Sequence, residues 1–245
     1  MPPKTVSRFP AGSVEIPPSK SVSHRALICA ALSEGESVLE NIGDSRDISA
    51  TLECLKALGA RFRRVGNALV CRGTGGALVQ ARSALDCDES GSTLRFLLPV
   101  AALCAGETRF SGGGRLISRP LGPFEKEFPK HGAVLRAEGG GLTVRGPLTP
   151  GVFTLPGDVS SQFVTGLLFA LPLLGGDSEI AISSPLESRS YVDLTLSCLG
   201  AFGIEIDNYK YEKFTVRGNQ RFAPHNFRVE GDYSQAAFFL VAGAL

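Results

Sequence analysis

Three apolar stretches of helical length run along the chain, and each follows a short serine-rich segment. These segments are Ser21-Val22-Ser23, Ser90-Gly91-Ser92-Thr93 and Ser160-Ser161-Gln162. Serine is a favoured helix N-cap and glycine a favoured helix end, and a glycine follows each stretch. Two of the stretches, Phe96–Ala105 and Phe163–Leu174, carry no charged residue, which predicts helices buried on most sides. They are too short to span a bilayer.

The same features then recur in the same order after each apolar stretch. A short strand is predicted first, at Ser37–Leu39, Thr108–Phe110 and Glu179–Ile182. A Ser-Arg pair then opens a second helix, at Ser45-Arg46, Ser118-Arg119 and Ser188-Arg189, with spacings of 73 and 70 residues. Two further strands end at an Arg-Gly dipeptide, at Arg72-Gly73, Arg145-Gly146 and Arg217-Gly218, with spacings of 73 and 72 residues.

This internal repeat predicts the fold. The chain is an α+β (α/β) protein of three β-α-β-α-β-β units, at about 18–75, 76–148 and 149–221. Because the first helix of each unit is the most apolar, the three first helices are expected inside and the sheets outside. The amino ends of these helices would then share one face, where the function should lie.

Both ends of the chain fall outside these three units. Residues 4–16 are predicted to form one or two short strands. The segment 230–235 is expected to begin a fourth copy, with an apolar helix over 236–245. We therefore expect 1–17 and 222–245 to be stubs of a second, largely missing domain, and the chain to be part of a longer protein.

Composition narrows the class of protein. The 245 residues are 43% hydrophobic and 20% charged, with a net charge of +1, which argues against a broad nucleic-acid surface or a polybasic membrane anchor. The six cysteines form no C-x-x-C pair and several lie in apolar stretches, which is typical of reduced core residues in a cytoplasmic protein. The three histidines have no metal-ligand spacing, so no metal is predicted.

The segment Lys20 to Arg25 is the first candidate site. Lys20, Ser21 and Arg25 lie in or just before the first turn of a helix, where unpaired backbone N–H groups favour an anion. The simpler interpretation is an N-cap serine followed by surface charges. Any anion site must be local, because the chain as a whole carries almost no net charge.

Equivalent chemistry recurs in the later copies. Ser160, Ser161 and Gln162 offer two hydroxyls and an amide at a helix start, and Ser188 with Tyr191 offers a hydroxyl and a phenol. The simpler interpretation is ordinary N-capping by the serines and partial burial of the tyrosine. Three more positions complete the candidates: Gly91, whose backbone could approach a ligand; Arg115, which could clamp an anion or lie solvated; and Arg95, for which a structural ion pair is favoured.

Together these motifs resemble the enolpyruvylshikimate-phosphate synthase family. The matching stretches cover the chain in the family's order: Pro18–Ala26, Glu89–Arg95, Arg115–Pro120, Val159–Phe163, Ser188–Asp193 and Val229–Asp232. The resemblance implies a two-domain transferase of the shikimate pathway, which makes chorismate and aromatic amino acids. It would move the enolpyruvyl group of phosphoenolpyruvate to shikimate 3-phosphate without a metal or organic cofactor.

The resemblance also implies residue roles. Lys20 would be catalytic and touch both substrates. The residues implied to bind shikimate 3-phosphate are Lys20, Ser21, Arg25, Ser160, Ser161, Gln162, Ser188 and Tyr191. Those implied to bind phosphoenolpyruvate are Lys20, Gly91, Arg115 and Gln162.

Two departures from the family pattern matter. Glu89 stands where many members have asparagine, and its carboxylate would repel an anion unless it turns away or pairs with a cation such as Arg95. The second domain, with the catalytic carboxylate, would lie beyond Leu245, so the chain alone is expected to bind shikimate 3-phosphate but to be inactive. A non-catalytic phosphate-binding module and the related transferase that acts on a UDP-sugar remain as alternatives.

Overall fold

Three repeated α/β units make up most of the chain in the computed structural model, which describes residues 12–244. The first unit contains α1 (Lys20–Leu32), β1 (Glu36–Glu40), α2 (Arg46–Ala57), β2 (Arg61–Val65) and β3 (Ala68–Arg72). The second contains β4 (Leu85–Asp86), α3 (Gly91–Ala101), β5 (Glu107–Ser111), α4 (Gly122–Glu127), a 3-10 turn (Phe128–His131), β6 (Val134–Glu138) and β7 (Gly141–Arg145). The third contains β8 (Val152–Leu155), α5 (Ser161–Ala170), a 3-10 turn (Leu171–Leu173), β9 (Ser178–Ile182), α6 (Arg189–Ala201), β10 (Ile206–Tyr209) and β11 (Lys213–Val216). Two elements follow, β12 (Phe227–Arg228) and α7 (Tyr233–Ala244).

Each unit carries one four-stranded sheet of the same topology. The strand orders are β12-β1-β3-β2, β4-β5-β7-β6 and β8-β9-β11-β10. In each sheet the first pair of strands is parallel and the other pairs are antiparallel. The predicted β-α-β-α-β-β order is therefore confirmed in the second and third units.

The first strand of the first sheet comes from an unexpected part of the chain. It is β12, which pairs with β1 through Leu39 opposite Phe227, and not a strand from residues 4–16. Residues 12–16 form no strand, and 4–11 lie outside the described residues. β12 lies beyond position 221, where we placed the boundary of the third unit; the domain boundaries themselves stay predictions.

The three first helices lie inside, as the apolar pattern predicts. Eleven residues of α1 are buried, as are eight of α3 and nine of α5. Phe96 of α3 packs edge-on against Phe169 of α5, with ring centroids 5.8 Å apart. Gly166 permits close contact of these two helices, because a Cβ there would lie 2.3 Å from the carbonyl oxygen of Arg95.

The Arg-Gly dipeptide has a structural reason that is common to the three units. A Cβ added at Gly73, Gly146 or Gly218 would lie 2.1 to 2.3 Å from a backbone carbonyl oxygen just after the unit's first helix. Only glycine allows the chain just after the last strand of each unit (β3, β7 and β11) to approach the helix end this closely. The glycine therefore marks a contact between backbones, which explains its regular spacing.

The second helix of the second unit begins later than predicted. The Ser118-Arg119 pair lies in a turn, and α4 begins at Gly122 with a proline in its first turn. Pro120 disfavours helical backbone at Arg119, so the helix cannot open at the Ser-Arg pair. This shift leaves the Arg119 side chain outside the helix.

The surface of α7 is apolar and exposed. Phe238, Phe239, Leu240 and Val241 are each more than half exposed. No helix between residues 12 and 244 combines the length and apolar character needed to cross a bilayer. All six cysteines are free; Cys104 is half-buried and the others are buried.

Candidate anion-binding site

Four helix starts converge on one pocket of about 440 Å³. Residues within or just before α1, α3, α5 and α6 line it, together with Arg119 from the loop before α4: Ser21, Arg25, Ser92, Arg95, Phe96, Arg119, Val159, Ser160, Ser161, Gln162, Ser188 and Tyr191. Three arginines and no carboxylate are among these residues. The positive ends of the helix dipoles add to these charges, so the pocket is suited to an anion.

Some serines at the helix starts cap their helix, and others line the pocket. Ser19 accepts from the Val22 N–H at 3.4 Å and is the N-cap of α1, which leaves Ser21 to face the pocket. Ser160 does both, because it caps α5 by accepting from the Gln162 N–H at 3.3 Å and also lines the pocket. Ser188 precedes α6 in a left-handed conformation with a φ of 55° and makes no side-chain cap bond. Capping therefore explains Ser160 in part but not Ser21 or Ser188.

Arg25 lies at the base of the pocket and is 3% exposed. Its Nε donates to Thr195 Oγ1 at 2.8 Å, Nη1 to the Ser21 carbonyl at 2.7 Å and Nη2 to the Tyr191 carbonyl at 2.8 Å. The guanidinium also lies 5.2 Å from the ring centroid of Phe96. Burial lowers the pKa of Arg25 to about 10, so it remains a cation at neutral pH.

Within residues 12–244, Arg95 binds an amide and does not form the structural ion pair that we favoured for it. Its Nη1 donates to Gln162 Oε1 at 2.7 Å and its Nη2 to the Pro120 carbonyl at 3.4 Å. Burial lowers the pKa of Arg95, and the neighbouring Arg119 lowers it further. Glu89 is exposed and lies beside Gly114, where an added Cβ would lie 2.7 Å from its Oε1.

Lys20 lies outside the pocket lining. Its Nζ forms a salt bridge of 2.6 Å with Asp47 Oδ2, and its side chain is 53% exposed. The backbone N–H of Lys20 also faces Asp232 Oδ2 at 3.4 Å. The structure therefore groups Ser21 and Arg25 with the serines of α5 and α6, but it does not bring Lys20 to them.

Arg119 takes the position at the pocket that we expected for Arg115. Arg115 is exposed and is not a lining residue, whereas Arg119 lines the pocket. Gly91, at the start of α3, lies next to Arg119, since a Cβ at Gly91 would lie 2.8 Å from Arg119 Nη1. Arg119 and Ser92 are lining residues that the sequence did not predict. For Arg119 the available signal was Pro120, which moves the start of the helix beyond Arg119.

Among residues 12–244, no three histidine, cysteine, aspartate or glutamate side chains form a group that could hold a metal ion. His24 is buried and donates or accepts through Nδ1 with Thr51 Oγ1 at 2.8 Å. His131 is buried against Phe153, with ring centroids 3.8 Å apart. Both histidines serve the interior packing of the fold.

Comparison with known proteins gives a consistent result. The family model described as EPSP synthase (3-phosphoshikimate 1-carboxyvinyltransferase) matches residues 7–245. A relative of that name from Clostridium kluyveri is 49% identical over 236 residues, covering 96% of this chain and 55% of the relative. One from Clostridium beijerinckii is 48% identical over 243 residues, covering 96% of this chain and 56% of the relative.

A solved structure has the same fold. The EPSP synthase from Acinetobacter baumannii superimposes with a TM-score of 0.82 at 25% sequence identity, covering 94% of this chain and 52% of that one. The chain thus spans about half the length of the relatives that it matches.

Proposed function

This chain belongs to the EPSP synthase family, and we propose that it serves the transfer of the enolpyruvyl group from phosphoenolpyruvate to shikimate 3-phosphate, with release of phosphate. Its own part is to bind shikimate 3-phosphate in the pocket where the four helix starts meet. No cofactor enters the proposal.

The observation that carries the proposal is the charge of the pocket. Arg25, Arg95 and Arg119 line it without a carboxylate, and Ser160, Ser161 and Ser188 add hydroxyls. A phosphate monoester on a hydroxylated ring needs both features: cations for the phosphate and neutral donors and acceptors for the ring. A pocket lined by aliphatic side chains would not favour such a ligand.

We assign the ligand contacts as follows. Ser21, Arg25, Ser160, Ser161, Gln162, Ser188 and Tyr191 bind shikimate 3-phosphate. Gly91, Gln162 and Arg119 bind phosphoenolpyruvate, and Arg119 replaces Arg115 because it lies beside Gly91 at the pocket. Lys20 contributes once its ammonium leaves Asp47, which its exposed and flexible side chain allows.

These residues would act through electrostatics and positioning. When a hydroxyl of shikimate 3-phosphate adds to the enol carbon of phosphoenolpyruvate, the hydroxyl loses its proton and the methylene group gains one. Loss of a proton from the resulting methyl group and departure of phosphate then restore the double bond, while both substrates remain anionic. Fixed cations and helix starts hold the two anions next to each other and stabilise the negative charge on their phosphates. This chain supplies that binding surface.

We propose that the rest of the protein is a second domain that packs on the exposed apolar side chains of α7. Two observations support this: the relatives are nearly twice as long as this chain, and α7 exposes Phe238 and Leu240. Turnover is expected to need that domain. Phosphate release by this chain alone, at the rate of a full-length relative, would contradict this part of the proposal.

Calorimetric titration tests the binding proposal directly. We expect shikimate 3-phosphate to bind more tightly than shikimate or inorganic phosphate, and a UDP-sugar not to compete with it. Ser161→Ala should weaken binding about tenfold, since it removes one hydroxyl contact to a charged ligand. Ser49→Ala, an exposed serine of α2 away from the pocket, is the matched control and should leave the affinity unchanged.

The same titration separates the alternatives. Preferential binding of a UDP-sugar would favour the related transferase. Tight binding of shikimate 3-phosphate, with no turnover even by a full-length version of the protein, would favour a non-catalytic binding module. Failure to bind any of these ligands would overturn the assignment of the pocket.

A further inference from the structure

The Gln162 side chain lines the pocket, and its amide lies between two polar partners. Its Oε1 accepts from Arg95 Nη1 at 2.7 Å, and its Nε2 donates to Ser92 Oγ at 3.0 Å. Gln162 is in the first turn of α5, and Gly166 lies one turn further along the same face. Because Gly166 brings α5 against the Arg95 backbone, Gln162 and Arg95 are held side by side.

The two partners differ in what they can accept. A guanidinium only donates hydrogen bonds, so the atom that faces Arg95 must be the amide oxygen. A serine hydroxyl both donates and accepts, so Ser92 would tolerate either orientation of the amide. Arg95 therefore fixes the orientation of the amide, and Ser92 cannot do so alone.

The orientation decides what Gln162 offers to an anion. With Oε1 held by Arg95, one amide N–H is used by Ser92 and the other is left for the pocket that Gln162 lines. In the flipped orientation the amide would present an acceptor oxygen to an anionic ligand, which repels it. Arg95 is itself fixed by the Pro120 carbonyl and by its position 5.0 Å from the ring centroid of Phe163.

We propose that Arg95 is a positioning residue that holds Gln162 as a hydrogen-bond donor toward the anionic ligand of the pocket. The proposal rests on the proposed function for the identity of that ligand, shikimate 3-phosphate. Arg95 acts here through Gln162, and its own contact with the ligand is not required.

A double-mutant cycle on shikimate 3-phosphate affinity tests this role. Gln162→Ala should weaken binding about tenfold, and Arg95→Met should weaken it further, because it removes both the restraint on the donor and one positive charge. In the Gln162→Ala background, Arg95→Met should cost only what the loss of one positive charge costs. Arg119→Met measures that cost, since it removes the same charge from the same pocket.

The cycle with Arg119 is the matched control. Within the described part of the chain, Arg119 makes no hydrogen bond to Gln162. The factors by which Arg119→Met and Gln162→Ala weaken binding should therefore multiply in the double variant. The coupling is the factor by which the affinity of a double variant departs from the product of the two single effects. This factor should be about fivefold or more larger for Arg95 with Gln162 than for Arg119 with Gln162. Equal coupling in the two cycles would overturn the proposal. If Arg95→Met does not fold, judged by its thermal transition, Arg95→Gln replaces it, because a glutamine amide both donates and accepts and so does not fix the orientation of Gln162.

A second measurement needs no ligand. The chain contains four glutamines, so selective ¹⁵N labelling gives four side-chain amide pairs, and the pair lost in Gln162→Ala is that of Gln162. We expect Arg95→Met to shift this pair and to speed its hydrogen exchange, whereas Arg119→Met should not. An unchanged pair in Arg95→Met would overturn the proposal, even if the wild-type chain failed to bind shikimate 3-phosphate and the proposed function fell.

Discussion

The guanidinium of Arg25 in α1 donates to the backbone carbonyl of Tyr191 in α6 at 2.8 Å. This bond ties the first repeat to the third, 166 residues further along the chain. Arg25 also binds Thr195, which in turn meets Thr165 of α5 at 2.9 Å. Arg25, one of the three arginines that charge the pocket, is therefore also part of the packing between repeats.

Replacement of Arg25 should consequently cost stability as well as affinity. In Arg25→Ala, the buried hydroxyl of Thr195 and the part-buried carbonyls of Ser21 and Tyr191 each lose one hydrogen bond, and we expect the free energy of unfolding to fall by about 2–4 kcal/mol. Urea denaturation measures the change. Arg119→Ala is the comparison, since Arg119 is exposed, and it should change stability by less than about 0.5 kcal/mol. Equal stability of the two variants would contradict a structural role of Arg25.

Gly166 should tolerate no side chain, because α3 and α5 meet there. In Gly166→Ala the new Cβ would lie 2.3 Å from the Arg95 carbonyl oxygen, and we expect a loss of about 1–3 kcal/mol or more in the free energy of unfolding. Gly200 of α6 is the matched control, since no atom of the described residues lies within 4 Å of a Cβ added there. Gly200→Ala should stabilise the protein by about 0.5–1 kcal/mol through helix propensity, and thermal melts of the two variants should shift in opposite directions.

His24 should make stability depend on pH. Burial lowers its pKa from the usual 6.5 to about 3, so the unfolded chain takes up a proton below pH 6.5 that the native protein does not. The stabilisation is present above pH 6.5 and is lost as the pH falls toward 3. Between pH 6.5 and 5, we expect His24 to account for a fall of roughly 2 kcal/mol in the free energy of unfolding.

The comparison variant for this pH dependence is His24→Asn, which keeps a polar group near Thr51 but cannot titrate. Its unfolding free energy, from urea titrations at pH 7, 6 and 5, should vary less with pH than that of the wild type. Identical slopes in the two proteins would show that His24 does not contribute.

The thiols should differ sharply in reactivity. Burial raises the pKa of Cys71 to about 12 and that of Cys29 well above its usual value, and the thiolate is the reactive form. Cys104 is half-buried and the other five are buried. With an aromatic disulfide reagent, we expect at most one thiol to react in the native protein and all six after denaturation. Cys104→Ala should abolish the native reaction; rapid reaction of several thiols would contradict the buried arrangement.

Local sequence features determined most of the fold. The serine starts, apolar stretches and glycine ends placed α1, α3 and α5 correctly, because capping and periodicity act within a few residues. The Arg-Gly dipeptides at constant spacing identified the repeat, since each glycine meets a carbonyl at the same place in its unit. The convergence of the helix starts followed from the repeat.

Tertiary structure decided what depends on contacts between distant residues. The first strand of the first sheet is β12, which pairs with β1 across 188 residues. Nothing in the local sequence of residues 12–16 shows that a strand so distant takes this place. Lys20 forms its salt bridge with Asp47 outside the pocket. The turn at Pro120 places Arg119, in place of Arg115, in the lining of the pocket. The sequence therefore determined which segments line the candidate anion site, whereas the packing of helices and loops decided which side chains of those segments enter the pocket.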